Sequence, residues 1–461
     1  MLLDFIVVAL YAACMLLLGW FGMRRAKTNE DFLVAGRNLG APLYMGTMAA
    51  TVLGGASTVG TVRLGYVHGI SGFWLCAALG LGIVALNLFL AGPLLKLKVY
   101  TVTQVLERRY NPMARQASAV IMLAYALMIG VTSTLAIGTV LQVLFELPFT
   151  LAVLLGGGVV VLYSSIGGMW SLTLTDIVQF VIKTVGLMFV LLPICLARVG
   201  GWDALVQKLP ATAFSFTSIG WGTIVTYFLI YFFGILIGQD IWQRVFTART
   251  EKVARYAGTT AGLYCIAYGL ACALIGMAAH VLLPELPNAN NAFAAIVKAA
   301  LPDGIRGLVI AAALAAMMST ASAGLLAAAT VFSEDLLPRL RAGKASSLGL
   351  NRLCTLVTGL VVLGLALAVN DVISALTLAY NLLVAGMLIP LIGAIFWKRA
   401  TTAGAIASMA LGSLTALGFM LSDGLEANTP IYYSLVVGLV SFVGVSVWEG
   451  RAAVRCAEVK G

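Results

Sequence analysis

The segment Ala49-Ala50-Thr51-Val52-Leu53-Gly54-Gly55-Ala56-Ser57-Thr58 decides how this chain is read. It sits inside a long apolar stretch. It nevertheless carries two adjacent glycines, several hydroxyls and few large side chains. A helix crossing lipid should be smooth, because backbone groups freed by a break need partners. Such breaks persist only where they are buried in protein or line a cavity. The plainer alternative is close helix packing through small residues, the usual role of Gly and Ala in membranes.

Outward from this break the whole chain is apolar. Its 461 residues are 61% apolar and only 10% charged, with a mean hydropathy of +1.02. A soluble domain carries about 25% charge. A helix needs about 20 apolar residues to cross a bilayer. Thirteen candidate spans result, at 3–22, 42–66, 72–95, 118–140, 148–166, 173–197, 219–241, 256–282, 305–331, 353–369, 372–396, 402–421 and 431–448. The fold class is therefore an all-α polytopic membrane protein. No small-residue cleavage site precedes Arg24-Arg25, so residues 1–22 read as an uncleaved span rather than a signal peptide.

The net charge of +10 would suit a nucleic-acid binder, but its distribution argues otherwise. One set of loops holds Arg24, Arg25, Lys27, Arg37, Lys96, Lys98, Arg108, Arg109, Arg115, Arg244, Arg249, Lys252, Arg255, Arg339, Arg341, Lys344, Arg352, Lys398, Arg399, Arg451, Arg455 and Lys460, which is 22 of the 28 basic residues. The other loops and the spans hold Arg63, Lys183, Arg198, Lys208, Lys298 and Arg306. The positive-inside rule puts the rich side in the cytoplasm of a cell membrane, with the N-terminus outside and the C-terminus inside. The basic excess is a topology signal with some attraction to anionic lipid. It calls for no nucleic acid, and nothing implies an obligatory protein partner. The seven cysteines show no paired spacing, and six fall in predicted spans as apolar packing residues. His68 and His280 lie near the predicted outer surface, without neighbours for a metal cluster.

Loops are short, and no segment reads as a soluble domain or linker, so residues 1–461 form one transmembrane domain. The five-span unit at 42–197 begins inside, and the five-span unit at 219–396 begins outside. Two five-span units of opposite orientation make an inverted repeat. Residues 1–41 add one helix and a loop at the front, and 402–448 add two helices at the end.

Four segments are positioned to carry chemistry. The broken helix at 49–58 offers backbone carbonyls to an ion. Ala315-Ala316-Met317-Met318-Ser319-Thr320-Ala321-Ser322-Ala323 puts two hydroxyls, Ser319 and Thr320, at one level of the ninth span. Ser319 and Ser322 share a face. Hard cations favour oxygen ligands, although Ser and Thr also bond their own helix backbone. Asp176, at the start of the sixth span, is a costly carboxylate for that depth. Lys183, seven residues on, shares its face; it can pair with Asp176 through water, meet a substrate carboxylate, or snorkel. Tyr227 to Arg244 has glycines at 234 and 238 and aromatics at helical spacing, with Tyr231 at mid-depth carrying a hydroxyl.

These segments, in this order and separation, resemble the sodium:solute symporters, over nearly the whole chain. Phe32-Leu33-Val34-Ala35-Gly36-Arg37 is similar to that family's lead into its second span. Gly167-Gly168-Met169-Trp170, followed by Thr175-Asp176-Ile177-Val178-Gln179, is similar to its Gly-Gly and Thr-Asp-x-x-Gln signature. Gly238-Gln239-Asp240-Ile241-Trp242-Gln243-Arg244 and Met318-Ser319-Thr320 are typical of it as well.

The resemblance implies a LeuT-type fold with inverted five-helix repeats and alternating access. It implies a sodium site built from the carbonyls of Ala49, Val52 and Ala316 and the hydroxyls of Ser319 and Thr320. Some members have a second sodium site near the aspartate and two serines. Here Asp176 and Ser322 match, but the other serine position is Ala323. Thr51 stands where some members have Asp or Asn. By alignment, Phe73, Trp74, Ala77, Ser133, Tyr231 and Gly234 line the substrate pocket, with Lys183 in a substrate or pairing role. The pattern from Ala50 to Thr61 is similar to the choline-transporter branch, yet two tryptophans of an aromatic cage are replaced by Val52 and a residue near Ile129. The small, mostly apolar pocket that remains suits an amino acid, carboxylate or vitamin-like anion.

The expectation is a secondary transporter coupling Na⁺ to uptake of a small organic solute, and not an enzyme. A proton-coupled or uncoupled transporter on the same fold is the alternative. Ser319 and Thr320 argue for sodium, since a proton needs no oxygen cage.

Overall fold

The structure, a computed structural model, describes residues 2–340, 346–369 and 371–458, without the side chains of Leu340 and of 450–458. Arg341, Lys344 and Lys460, and the side chains of Arg451, Arg455 and Cys456, lie outside what is described.

Long helices follow one another from end to end: α1 (Leu2–Arg25), α2 (Ala41–Val52), α3 (56–68), α4 (74–97), the short α5 (Val102–Arg109), α6 (Pro112–Phe145), α7 (Phe149–Val199), α8 (Trp221–Ile237), α9 (Gln239–Val245), α10 (Glu251–Leu282), α11 (Ile305–Val331), α12 (Leu348–Ala366), α13 (Val372–Phe396), α14 (Thr402–Asp423) and α15 (Thr429–Glu458). Local signals start many of them. The side chains of Thr101, Asn111, Thr250, Ser347, Asp371 and Thr401 each accept the backbone N–H three residues on. These caps satisfy donors that the first turn leaves open. Among the described residues no strand forms; Leu39 and Ala248 make one isolated bridge.

Among the described residues, ten helices are long and apolar enough to cross a membrane, or eleven if α8 and α9, bent by 46° at their junction, count as one span. This differs from the thirteen predicted spans, because helices with internal breaks run together. The stretch Ala56–Leu97 contains a 3-10 turn at Gly69–Phe73. α7 contains Gly168 at φ 54°, ψ −137°. That conformation is open to glycine and costly for other residues. The backbone carbonyl and ring of Phe32 also lie against Gly168, where a Cβ would collide.

α11 is the core of the bundle. Every residue from Val309 to Val331 is buried, packed between α1, α2, α6, α7 and α12. Its alanines and glycines let neighbouring backbones come close, as membrane packing requires. Ion pairs pin the bundle ends. Arg306 Nη2 lies 2.6 Å from Asp4 Oδ2. Arg115 reaches Glu107 at 2.7 Å and Asp335 at 2.9 Å, so this basic residue, assigned to a loop by sequence, ties α6 to the chain that follows α11.

Candidate functional site

α2 stops at Val52 because Leu53 leaves the helical region (φ −90°, ψ 70°), and the chain resumes in a wide π-type turn at Ala56–Gly60. The break is buried, so its carbonyls must be met by protein. Four of them, at Ala49–Val52, face side chains. Ala49 O faces Lys183 Nζ at 3.4 Å. Ala50 O faces Lys183 Nζ at 3.3 Å and accepts from Ser319 Oγ at 2.8 Å. Thr51 O accepts from Thr320 Oγ1 at 2.6 Å. Val52 O accepts from Ser57 Oγ at 2.8 Å. A Cβ at Gly54 would lie 2.5 Å from Thr320 Oγ1 and 2.9 Å from Ser133 Oγ. Only glycine lets the break sit this close to α11.

The predicted ion ligands therefore gather at one place, with a shift in register. Ser319 and Thr320 point at the carbonyls of Ala50 and Thr51, the two between Ala49 and Val52. Ser319 also donates to Ala316 O at 2.9 Å. Ser322 donates to Ser319 O at 3.0 Å, within its own helix, and no hydrogen bond joins it to Asp176 among the described residues.

Asp176 and Lys183 do share a face of α7, and both point at α2. They meet different groups there. Thr47 Oγ1 donates to Asp176 Oδ2 at 2.5 Å, and Arg244 Nη2 lies 3.6 Å from the same oxygen, both side chains fully buried. The buried ion pair is thus Asp176–Arg244, which corrects the reading of Asp176 with Lys183 as the buried pair and of Arg244 as a loop charge. Seven residues span ~10 Å along a helix, too far for Lys183 to reach Asp176 directly. Arg244 is brought in by the bend at Gly238 (φ −68°, ψ 133°), which sends α9 back into the protein. Gln243 Nε2 anchors that half-helix on Leu33 O at 2.8 Å and Thr330 Oγ1 at 2.9 Å, and Tyr125 OH donates to Asp240 Oδ1 at 2.9 Å. Among the described residues, the nitrogens of Arg244, Asp176 Oδ1, Gln179 Oε1 and Ser133 Oγ are buried without a hydrogen-bond partner, which marks this interior as polar.

The predicted pocket residues fall into two groups. Ser133, Tyr231, Gly234 and Ala77 are buried within the bundle. The Tyr231 and Thr377 hydroxyls lie 3.2 Å apart, the Tyr231 and Tyr380 rings meet edge to face at 5.3 Å, and Gly234 lies against the Tyr380 ring. Phe73 and Trp74 instead sit half-buried at the 3-10 turn. Trp74 Nε1 donates to Phe216 O at 2.6 Å, and the Phe73 and Phe216 rings are 5.6 Å apart.

Residues 32–412 match the sequence model of the sodium:solute symporter family. The chain belongs to that family. This sodium:solute symporter is 26% identical to the osmoregulated proline transporter OpuE of Bacillus subtilis (strain 168), over 97% of the chain and 95% of the relative. It is 25% identical to the sodium/proline symporter of Staphylococcus aureus (strain JH9), over 90% and 85% respectively. Among solved structures, a Na⁺-coupled sialic acid symporter in a substrate-bound, outward-open state superposes with a TM-score of 0.83 at 19% identity, covering 97% of this chain and 98% of the other. Mhp1, a nucleobase-cation-symport-1 family transporter, in a closed conformation gives a TM-score of 0.57 at 13% identity, covering 93% and 96%. The fold is that of the LeuT-type transporters, a multi-pass bundle of membrane helices.

Three groups at the centre of this symporter were not singled out from sequence: Thr47, Tyr380 and the guanidinium of Arg244. Arg244 had a signal. It closes the motif that opens at Gly238, and a glycine within a span is a break signal of the kind seen at Gly54-Gly55. Thr47 and Tyr380 had none, since their roles depend on which helices face each other.

Proposed function

We propose that this chain is a secondary active transporter of the cell membrane that couples Na⁺ entering the cytoplasm to uptake of a small organic solute by alternating access. The solute is an amino acid, a carboxylate or a vitamin-like anion. Proline is the first compound to test, because two of the relatives are proline transporters. The N-terminus is outside and the C-terminus cytoplasmic, as the charge asymmetry of the loops indicates. Residues 42–197 and 219–396 are the two inverted units, flanked by 1–41 and 402–448.

In this reading Na⁺ is co-transported cargo, held by carbonyls of Ala49, Val52 and Ala316 and hydroxyls of Ser319 and Thr320, with Asp176 and Ser322 marking a second position. The solute is met by Ser133, Tyr231, Gly234 and Ala77, and approaches past Phe73 and Trp74. The cycle needs only solute, Na⁺ and the lipid around the bundle. One observation carries the reading: the Thr320 and Ser319 hydroxyls of α11 lie 2.6 and 2.8 Å from carbonyls of the broken helix. Two helices from opposite halves of the chain thus supply oxygens to one buried spot, which suits a hard cation. An ion there couples to alternating access if α2 and α11 part during the cycle.

The test is melting of the purified protein with proline and a panel of amino acids, carboxylates and vitamins, each in Na⁺ and in K⁺. Ligand binding to the folded state raises the melting temperature by mass action. A shift that needs one compound together with Na⁺ is expected. A compound shift of equal size in K⁺ would overturn sodium coupling.

A further inference from the structure

Lys183 is fully buried in the span α7. Among the described residues no carboxylate comes within ion-pair distance of its ammonium, since Asp176 pairs with Arg244. Its contacts are of another kind. Nζ faces the carbonyls of Ala49 at 3.4 Å and Ala50 at 3.3 Å, and stands 5.8 Å from the centre of the Tyr268 ring. Tyr268 is itself fixed, its hydroxyl 2.8 Å from Thr58 Oγ1 on the far side of the break. Backbone dipoles and an aromatic face are what a desolvated monovalent cation finds in a binding site. A buried charge without such partners would be strongly unfavourable.

The carbonyls concerned are those of the break. Ala49 is an expected Na⁺ ligand, and Ala50 also accepts from Ser319, whose hydroxyl is another. We infer that the Lys183 ammonium is a tethered cation on the coupling-ion site, so that Na⁺ binds only by displacing it from the carbonyls of Ala49 and Ala50. This rests on the sodium-coupled reading and adds a specificity-determining residue to it. Two like charges cannot both sit on the Ala49 carbonyl, because their repulsion in a low-dielectric interior far exceeds that in water. The lysine thus weakens Na⁺ binding and sets how much Na⁺ the transporter needs. It also keeps the broken helix attached to α7 when no ion is bound.

The experiment titrates NaCl against KCl at constant ionic strength, reading the melting temperature of the purified full chain as wild type and as Lys183→Met. Met matches the length of the stem without the charge. Lys183→Gln is the second variant, used if the first does not purify as a single species. The half-saturating Na⁺ concentration is expected to fall at least tenfold in the variant. If wild type responds to Na⁺ and the variants stay within threefold of it, or need more Na⁺, the inference is wrong and sodium coupling stands. If only the variants respond to Na⁺, the displacement inference stands and sodium coupling of the wild type falls. If neither responds, both fail.

Discussion

Replacing Gly54 by alanine tests the contact on which the site depends. The added Cβ would lie 2.5 Å from Thr320 Oγ1, 2.6 Å from Thr320 Cβ and 2.9 Å from Ser133 Oγ. Rotating Thr320 can move its hydroxyl, but its Cβ is fixed to the α11 backbone. Carbon atoms pack at about 3.5–4.0 Å, so the break and α11 must separate by roughly 1 Å. Thr320 Oγ1 now lies 2.6 Å from Thr51 O, and that separation takes the pair beyond hydrogen-bond range. Overpacking of this kind costs about 1–3 kcal/mol. If the whole cost falls on the geometry that binds the ion, the half-saturating Na⁺ concentration rises roughly 5- to 150-fold. The assay is Na⁺-dependent melting of the purified Gly54→Ala protein beside Gly364→Ala, a control on α12 where a Cβ meets nothing within 4 Å. The control should match wild type. A Gly54→Ala protein with wild-type melting temperature and Na⁺ requirement would refute the close approach of the break to α11.

Two further substitutions separate the roles of neighbouring groups. Asp176→Asn leaves the buried Arg244 without its counter-charge; breaking such a pair costs about 3–5 kcal/mol. The melting temperature should drop sharply, and Asp176→Asn with Arg244→Gln should recover part of it. Tyr231→Phe removes the hydroxyl proposed to meet the solute, and a hydrogen bond of that kind is worth about 0.5–1.5 kcal/mol. Uptake of the solute that the panel identifies should then show KM raised by roughly 2- to 13-fold, with Na⁺ dependence unchanged.

The break at 49–58 and the hydroxyl pair of α11 were legible in the sequence because each is a local anomaly: glycines inside a span, two adjacent hydroxyls in an alanine-rich run. The pairing between them was legible only in outline. Family motifs pointed to Ala49 and Val52, whereas the hydroxyls bond Ala50 and Thr51. Register between helices 269 residues apart is set by tertiary packing, which no local pattern records. The shared face of Asp176 and Lys183 followed from helical period. Their separate partners did not, because period says nothing of distance along the axis. Arg244 was read as a loop charge because hydropathy assigns charges to loops, and a half-helix that folds back inside at Gly238 defeats that assumption. The helix count differed for a related reason: Gly168 turns the chain without ending its hydrogen-bonded run.

Sodium coupling in this chain turns on whether the meeting of α2 and α11 holds Na⁺. The direct measurement is the rise in melting temperature of the purified protein over a Na⁺ titration, with K⁺ replacing Na⁺ at constant ionic strength, for wild type and Thr320→Ala. Thr320 supplies the shortest contact to the break. Wild type should show a saturable, Na⁺-specific rise, and Thr320→Ala should remain folded while needing at least tenfold more Na⁺ for the same rise. An equal Na⁺ response in the two proteins, or no difference between Na⁺ and K⁺ in wild type, would contradict it.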